Sequence, residues 1–540
     1  MQLSKIKYSI PYLSLLAILF LTIIILLLSS IKAPVILYVS AEVVLFFFAI
    51  LCIKRKAVRG LIWALFCLLI GMQVSSLANT GDYIIPLTLS NLSEFQAVGH
   101  KVALIILAII LSYIVLSLLA FREDAKIPKS VSLFFIACFM VVNGPVHHLA
   151  TSLHQYYKQL TYKPNYNYPE VASKFLKFDF YRPVDLTSYF QSGLPKNIIV
   201  IFTEGMSSKV IDAENKLGLN ITPNLDSYYA EGLVFKNYFN HTAATFRGLR
   251  GQLSSAYQYR DGVDGKGEGF FQVDNATVSK NYDNRLIAIP EVLNGHGYNS
   301  YFIAATEVHS NLNALMETMP FKKVYGMEDF NWHLNDRMSD KKIFSSLREV
   351  VSQQNGKPFF IGIYSSGTHH GMDSPDEKYK SGKNAFYNKF YNYDHQLGQF
   401  VKWFKQSPRY KDTLLIITAD HSTFPVPEFK SSFNISSDYF VDTIPLVMIG
   451  AGIKHNIIDA KGSNSLSLAP TILQILNVNN GQPNYFLGCS LFDLKCSSRY
   501  SNLSVIGDSF YKTIKEKDGQ YRAETTDAQE DVSDFYNVSG

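Results

Sequence analysis

Charged residues are scarce in this sequence. Asp, Glu, Lys and Arg make up 18% of its 540 residues, against 47% hydrophobic residues. This composition excludes a disordered chain and predicts that part of the protein lies in a membrane. The residues from 158 onward also lack a basic excess, with 39 basic and 40 acidic side chains. We therefore expect no nucleic-acid partner, because such proteins carry clustered positive charge.

Long apolar stretches fill the N-terminal third of the chain. Each of the five stretches reaches about 20 residues, which is the length that crosses roughly 30 Å of hydrocarbon. They cover residues 10–31, 33–53, 60–81, 102–121 and 130–153. The first is too long for a signal peptide, and four more follow it. The sequence therefore predicts a five-span α-helical membrane domain over residues 1–153.

The basic residues of this region predict its orientation. Eleven Lys and Arg side chains occur in residues 1–157, and nine of them fall in segments that are cytoplasmic if the N-terminus is inside. Because cytoplasmic loops are enriched in Lys and Arg, everything after the fifth span is expected outside the cytoplasm. The one charged residue within the spans is Glu42. We expect it to be a protonated carboxyl group hydrogen-bonded between helices, with a functional role as the alternative.

Three further segments follow the predicted membrane domain. Residues 154–195 are rich in Tyr and Pro, which predicts a linker along the outer leaflet, with ordinary surface packing as the alternative. Residues 196–515 form the predicted external domain, and residues 516–540 a polar C-terminal tail. Of five cysteines, only Cys489 and Cys496 lie in the external domain. An oxidising compartment would allow them to pair, and two buried free thiols are the alternative.

Short apolar runs alternate with helical patterns in the external domain. Strands are predicted at residues 197–203, 301–304, 359–364, 414–418 and 446–449, and helices at 287–294, 341–353, 384–405 and 466–476. Strands separated by helices indicate an α/β domain with a mostly parallel sheet. In such sheets, ligands bind at the carboxyl ends of the strands.

Polar residues follow several of these strands, either directly or within a few residues. They are Glu204, His309, His369, His370, Asp420 and His421, together with Thr242 and Thr245 after a further apolar stretch at 233–239. Two carboxylates and an imidazole at one edge of a sheet suit a divalent ion such as Mn²⁺, Zn²⁺ or Mg²⁺. Taken singly, each residue has an ordinary explanation as a helix cap or a turn residue.

The order of these motifs resembles that of a known group of enzymes. The motifs are IVIFTEG with Glu204, Thr242-Ala-Ala-Thr245, GTHHG with His369 and His370, TADH with Asp420 and His421, and LGCSL at 487–491. Together they resemble the alkaline-phosphatase and sulfatase superfamily. Within it, the chain is similar to lipoteichoic-acid synthases and glucan phosphoglycerol transferases, and more distantly to lipid A phosphoethanolamine transferases.

This resemblance implies specific roles. Glu204, Asp420 and His421 would hold one divalent ion with the hydroxyl of Thr242, which would be the nucleophile. His369 would contact the phosphate or the leaving oxygen, with His370 assisting or structural. The roles of His309 and Arg247 are open between substrate contact and ordinary surface side chains.

The resemblance also implies a function and a location. The protein would be a multi-pass protein of the bacterial inner membrane. It would transfer phosphoglycerol from phosphatidylglycerol, or phosphoethanolamine from phosphatidylethanolamine, to a surface glycan. Sulfate-ester hydrolysis is not expected, because the Cys/Ser-x-Pro-x-Arg frame of sulfatases is absent. Two different functions stay open beside transfer, that of a phosphodiesterase and that of a catalytically silent envelope protein.

Overall fold

The computed structural model describes residues 10–84, 89, 100–118, 127–161, 169–191, 193–258, 275–282, 286–333, 337–435, 440–479, 482–507 and 509–539. The chain divides into two compact units. The first consists of residues 1–160 with 425–431, and the second of residues 161–424 with 432–540. The apolar N-terminal helices belong to the first unit, and a large parallel sheet belongs to the second.

Apolar helices build the first unit. They are α1 (Ile10–Leu28), α2 (Ala33–Ile50), α3 (Lys56–Thr80), α4 (His100–Leu118), α5 (Lys129–Val141) and α6 (Pro145–Thr161). Among the described residues, α2 and α3 are long and apolar enough to cross a membrane. The pair α5 and α6, bent by 58°, counts as one further candidate, and the apolar parts of α1 and α4 are shorter. These helices fit a membrane domain, and the arrangement as five spans stays a prediction.

Glu42 lies at the bend between α5 and α6. Its side chain is buried, and its Oε2 atom accepts a hydrogen bond of 3.0 Å from the backbone N–H of Val146. A Cβ atom on Gly144 would lie 2.6 Å from the carboxyl carbon of Glu42, so only glycine allows this approach. The carboxyl group thus binds one of the N–H groups that the first turn of a helix leaves without an intrahelical partner. Glu42 is hydrogen-bonded between helices, as expected.

The second unit contains an eight-stranded sheet in the order β4-β3-β5-β1-β6-β7-β2-β8. The strands are β1 (Asn197–Thr203), β2 (Leu233–Lys236), β3 (Asn299–Ala304), β4 (Lys323–Tyr325), β5 (Phe359–Ser365), β6 (Thr413–Ala419), β7 (Leu446–Gly450) and β8 (Asn456–Asp459). Only β7 runs antiparallel to its neighbours among the described pairs. The central strands β1, β5 and β6 are buried along their whole length, as expected for strands covered on both faces. The predicted α/β class is confirmed.

Helices connect and cover these strands. They are α7 (Pro169–Phe175), α8 (Asp212–Asn215), α9 (Pro223–Glu231), α10 (Thr245–Ser254), α11 (Asn275–Tyr282), α12 (Ile289–Gly295), α13 (Asn311–Glu317), α14 (Asp340–Ser352), α15 (Ala385–Gln406) and α17 (Leu468–Ile475). Most of α16 (Pro427–Phe433) belongs instead to the first unit. The longest, α15, buries Phe390, Leu397 and Phe404 and leaves polar residues on its other face. This is the pattern of a helix with one face on the core.

The C-terminal segment differs from the prediction. It forms an antiparallel sheet of β9 (Leu503–Ile506), β10 (Ser509–Lys515) and β11 (Tyr521–Thr526), followed by helix α18 (Gln529–Ser539). The side chains of Val532 and Phe535 are 1% and 0% exposed in a core shared with Phe175 of α7. Residues 516–540 are therefore not a polar tail, because their apolar side chains recur at helical spacing and are buried.

The predicted linker also packs on the second unit. The backbones of Lys177 and Asn484 form a bridge, and the ring of Phe180 lies 5.1 Å from that of Phe486. This is the surface-packing alternative for the described residues 169–191. Further along the chain, Cys489 and Cys496 form a disulfide, in agreement with the expected pairing.

Candidate active site

Three buried side chains meet where two central strands end. Strand β1 pairs in parallel with β6, and Thr203 lies opposite Ala419 at the carboxyl end of the pair. The next residues are therefore Glu204 on one strand and Asp420, followed by His421, on the other. One potential ligand atom from each of the three residues lies within 4.8 Å of the others. Each of the three residues is at most 1% exposed.

The hydrogen bonds at this cluster leave three acceptor atoms facing one another. Oδ1 of Asp420 accepts from the backbone N–H groups of Gly205 and His421 at 2.8 and 2.7 Å. Nδ1 of His421 donates to the carbonyl oxygen of Ser422 at 2.7 Å, so in the neutral imidazole Nε2 carries the lone pair. That Nε2 atom lies 3.2 Å from Oε1 of Glu204 and 3.6 Å from Oδ2 of Asp420.

This arrangement fits a divalent cation. Oδ2 of Asp420 is buried and has no hydrogen-bond partner among the described residues, which is costly unless a cation or proton is bound there. Two carboxylate oxygens and one imidazole nitrogen form a ligand set that Mn²⁺ or Zn²⁺ accepts. The backbone hydrogen bond of His421 Nδ1 is the typical second contact of a metal-binding histidine.

The three groups also perturb one another's pKa values. Burial and the charge of Glu204 raise the pKa of Asp420 to about 7. Burial opposes protonation of His421, but the charges of Asp420 and Glu204 outweigh it and raise its pKa to about 9. Burial would raise the pKa of Glu204, yet its hydrogen bond to His421 and the positive charge there lower it. The two carboxylates therefore favour a positive charge between them, which either a proton on His421 or a bound cation can supply.

Thr245 is the threonine that reaches this cluster. It is the first residue of α10, and its hydroxyl group donates a 2.8 Å hydrogen bond to Oε2 of Glu204. Ala244, directly before it, has φ 77° and ψ 142°. Such a conformation in a non-glycine residue costs on the order of 1–3 kcal/mol and tends to occur at functional sites. The strained turn delivers the Thr245 hydroxyl to the cluster at the N-terminus of a helix, where backbone N–H groups favour phosphate.

Helix α10 packs directly on the end of β6. A Cβ atom on Gly248 would lie only 2.4 Å from the carbonyl oxygen of Asp420, so the helix can approach this closely only with glycine there. Nε2 of Gln252 donates to the carbonyl oxygens of Ala419 and Asp420 at 2.9 and 3.1 Å. These contacts fix the helix that carries Thr245 relative to Asp420.

The prediction that Thr242 joins the metal ligands does not agree with the structure. Its hydroxyl group donates to the carbonyl oxygen of Val505 at 2.8 Å, on strand β9. The two threonines are three residues apart, and the strained residue between them turns the chain. Consequently Thr245, and not Thr242, contacts Glu204.

Two residues that the sequence did not single out hold Glu204 in place. The hydroxyl group of Tyr364 donates to Oε2 of Glu204 in a short hydrogen bond. The hydroxyl group of Thr368 donates to the backbone carbonyl of Glu204. Tyr364 lies near the carboxyl end of β5, which pairs directly with β1. A polar residue at the end of a neighbouring strand was the signal that could have identified it.

His369 and His370 lie in the turn after β5. Nδ1 of His369 donates to the carbonyl oxygen of His370 at 2.8 Å, which leaves its Nε2 as an acceptor in the neutral form. Burial lowers the pKa of His369, although the charge of Glu204 opposes this shift. Burial lowers the pKa of His370 to about 3, and its ring stands edge-on to Phe424 at 6.0 Å. Burial therefore favours the neutral form of both imidazoles.

Arg247 and His309 differ in burial, and each has a contact of its own. The guanidinium group of Arg247 is buried, and its Nε donates to the carbonyl oxygen of Ala243 at 3.1 Å. His309 is exposed in the turn before α13, where its carbonyl accepts from the side chain of Asn275. None of the described contacts joins His309 to the carboxylate cluster. Arg247 instead supports the turn that positions Thr245.

The fold and the cluster define a class of protein. The family model named Sulfatase matches residues 196–478, from β1 to the end of the last sheet-covering helix. The chain belongs to the sulfatase family, and the resemblance inferred from its motifs is confirmed.

Two proteins of known name match part of this chain. The chain is 25% identical over 331 residues to lipoteichoic acid synthase 1 of Bacillus subtilis (strain 168), covering 56% of this chain and 49% of that protein. It is 22% identical over 262 residues to phosphoglycerol transferase I of Escherichia coli O6:K15:H31 (strain 536 / UPEC), covering 44% of this chain and 33% of that protein. The matched regions thus span about half and one third of these relatives.

A solved structure supports the fold. The crystal structure of a lipoteichoic acid synthase from Listeria monocytogenes is similar to this chain with a TM-score of 0.50 and 17% identity. The match covers 66% of this chain and 93% of that one.

Proposed function

We propose that this protein transfers phosphoglycerol from a membrane phospholipid to a surface glycan through a phospho-threonine intermediate on Thr245. The observation that carries this proposal is the 2.8 Å hydrogen bond between the Thr245 hydroxyl and Glu204, within a buried cluster that fits a divalent cation. The printed names of the relatives, lipoteichoic acid synthase and phosphoglycerol transferase, support the choice of transferred group. The apolar N-terminal helices support a lipid donor, since a membrane anchor keeps the chain beside its substrate.

Two steps account for the reaction. In the first, Oγ1 of Thr245 forms a bond to the donor phosphorus, and the bond from phosphorus to the diacylglycerol oxygen breaks. Glu204 accepts the hydrogen bond of the attacking hydroxyl, and diacylglycerol leaves with a proton. In the second step, a glycan hydroxyl attacks the phospho-threonine and the Thr245 hydroxyl is restored. The covalent intermediate divides one difficult transfer into two.

Other residues bind and orient the phosphate. The N-terminal N–H groups of α10 point toward the end of the helix that holds Thr245, and they favour a phosphate dianion. A divalent ion held by Glu204, Asp420 and His421 would activate the threonine hydroxyl and neutralise charge on the phosphoryl oxygens. His369 and His370, whose neutral forms are favoured by burial, would accept hydrogen bonds from substrate hydroxyl groups. A substrate contact by Arg247 or His309 is secondary in this scheme.

The cellular setting follows from the same scheme. The protein would span the bacterial inner membrane several times, with its catalytic unit outside the cytoplasm. The disulfide between Cys489 and Cys496 supports an oxidising compartment, because disulfides are rare in the cytosol. Phosphatidylethanolamine is the alternative donor.

The test uses the full-length protein in vesicles that contain phosphatidylglycerol or phosphatidylethanolamine. We expect diacylglycerol to be released from phosphatidylglycerol and not from phosphatidylethanolamine. Thr245→Val should reduce it by at least about 10³-fold, as loss of a covalent nucleophile does. Thr513→Val, which alters another buried threonine on β10, is the matched control and should keep the rate.

Each different outcome has a defined meaning. Turnover of phosphatidylethanolamine alone would identify the alternative headgroup. Free glycerol phosphate formed without a glycan acceptor would indicate a hydrolase. Full diacylglycerol release by Thr245→Val would contradict the proposed mechanism, and no release by the wild-type protein from either lipid would favour a catalytically silent role.

A further inference from the structure

The turn that carries Thr245 is attached to a part of the chain beyond the family match. The match ends at residue 478, whereas strand β9 covers Leu503–Ile506. The backbone N–H of Val505 donates to the carbonyl oxygen of His241 at 2.8 Å. The hydroxyl group of Thr242 donates to the carbonyl oxygen of Val505, also at 2.8 Å. Val505 thus binds the loop through both of its backbone polar groups.

Two more hydrogen bonds reinforce this attachment. Oγ of Ser504 donates to the carbonyl oxygen of Asn240 at 2.7 Å. The backbone N–H of His241 donates to Oγ of Ser465 at 3.0 Å. The loop residues Asn240, His241 and Thr242 are all at most 3% exposed. Each residue from 240 to 242 is therefore hydrogen-bonded to a segment that follows the eight-stranded sheet in the sequence.

Strand β9 is itself firmly held. It pairs with β10 in the antiparallel C-terminal sheet, and Leu503 and Val505 lie in the same core as Phe535 of α18. The carbonyl group of Leu503 accepts hydrogen bonds from Tyr257 and Asn464. The C-terminal sheet and helix therefore provide a rigid support for the loop.

The conformation of Ala244 requires such a support. A non-glycine residue at φ 77° persists only where the chain on both sides is fixed. On the downstream side, Gln252 and the close approach of Gly248 fix α10 on the end of β6. On the upstream side, Asn240 is hydrogen-bonded to Phe440 and Asp442, and the β9 contacts hold the two residues that follow, His241 and Thr242.

We propose that Thr242 is a positioning residue whose hydroxyl bond to Val505 fastens the nucleophile turn to the C-terminal sheet and thereby aims Thr245 at Glu204. The hydroxyl remains protonated and forms no bond to phosphorus. This inference rests on the proposed function, which makes Thr245 the nucleophile.

The test compares two substitutions at this position in the full-length protein with phosphatidylglycerol vesicles. Thr242→Val keeps the shape and loses the hydroxyl, so kcat for diacylglycerol release should fall roughly 10- to 100-fold with KM unchanged, as expected for a misplaced reacting group. Thr242→Ser restores a hydroxyl and should recover most of the rate. A wild-type kcat for Thr242→Val, or equal impairment of both variants, would overturn the proposal.

Thr471→Val is the matched control. The Thr471 hydroxyl is also buried, donating to the carbonyl of Ser467 at 2.6 Å and accepting from the N–H of Leu491 at 2.9 Å. Its loss should lower thermal stability without lowering kcat. If Thr242→Val does not fold, Ser504→Ala is the second variant. It should also lower kcat, and an unchanged kcat would overturn the proposal.

A measurement without turnover separates this inference from the proposed function. Amide hydrogen exchange of residues 243–246 should accelerate in Thr242→Val and stay at the wild-type rate in Thr471→Val. A protein that turns over neither lipid but shows this pattern would contradict the proposed function and leave the attachment standing. If the wild-type protein turns over lipid, but amide exchange in Thr242→Val is as slow as in the wild-type protein, the attachment alone is contradicted.

Discussion

Replacing Gly248 with alanine probes the contact between α10, which carries the proposed nucleophile Thr245, and the candidate metal cluster. The added Cβ atom would lie 2.4 Å from the carbonyl oxygen and 3.0 Å from the carbonyl carbon of Asp420. Ordinary contact begins near 3.4 Å, so 3.4 minus 2.4 leaves about 1 Å by which α10 must withdraw. Thr245 lies three residues earlier on the same helix and moves with it. A displacement of this size costs about 100-fold in rate, which equals roughly 2.7 kcal/mol of transition-state stabilisation.

The effect should appear in catalysis more than in stability. Overpacking costs about 1–3 kcal/mol, but alanine gains about 1 kcal/mol of helix propensity over glycine. The assay is the rate of diacylglycerol release from phosphatidylglycerol vesicles, with thermal unfolding measured on the same samples. Gly295→Ala is the matched control, because Gly295 is also helical and an added Cβ there meets nothing within 4 Å. If Gly248→Ala and Gly295→Ala both keep rates within about threefold of the wild type, then the close contact between Gly248 and Asp420 does not position Thr245 for the reaction.

Three further predictions concern the metal cluster and the C-terminal core. Tyr364→Phe removes a hydrogen bond to Glu204 and should weaken metal binding by roughly 10- to 100-fold, as measured by equilibrium dialysis. Unchanged metal affinity would show that Tyr364 does not orient the Glu204 carboxylate. Removal of divalent ions with a chelator should abolish diacylglycerol release, and restoration by Mn²⁺, Zn²⁺ or Mg²⁺ in turn should identify the ion; undiminished turnover by the metal-free protein would exclude the proposed role of the cluster. Phe535→Ala should destabilise the second unit by about 3–5 kcal/mol in thermal unfolding. Phe178→Ala, at a 57% exposed position, should change the stability little, and equal losses of stability would contradict the burial of α18.

The cluster of Glu204, Asp420 and His421 could be predicted from sequence because its position depends on simple geometry. Glu204 and Asp420 each follow an unbroken apolar strand, and the carboxyl ends of parallel strands meet at one edge. The strands themselves are fully buried, so their apolar runs are continuous and easily recognised. Sequence could not show that β1 and β6 are neighbours, but the ligand chemistry implied it.

The choice between Thr242 and Thr245 depended on where a helix begins. That point is set by the positive φ of Ala244, which no pattern of residue types indicates. The contacts of β9 could not be foreseen, because they are hydrogen bonds to backbone groups of residues more than 250 positions apart in the chain.

The C-terminal segment was mistaken for a tail because its charge concealed its apolar spacing. Val532, Phe535 and Val538 are three residues apart and buried, while Glu530 and Asp531 precede them and Asp534 lies between the first two. A helix with a narrow apolar face can be charged on its remaining surface. Spacing, rather than overall polarity, was the informative property.

The central claim is that Thr245 forms a covalent bond to the transferred group. Full-length protein is mixed with phosphatidylglycerol vesicles without a glycan acceptor, quenched in acid, digested and examined by mass spectrometry. The account predicts that the peptide containing both threonines gains the mass of phosphoglycerol, that fragmentation places it on Thr245, and that Thr242→Ser still gains it there. An adduct on Thr242, or no adduct with either phosphatidylglycerol or phosphatidylethanolamine, would contradict the account.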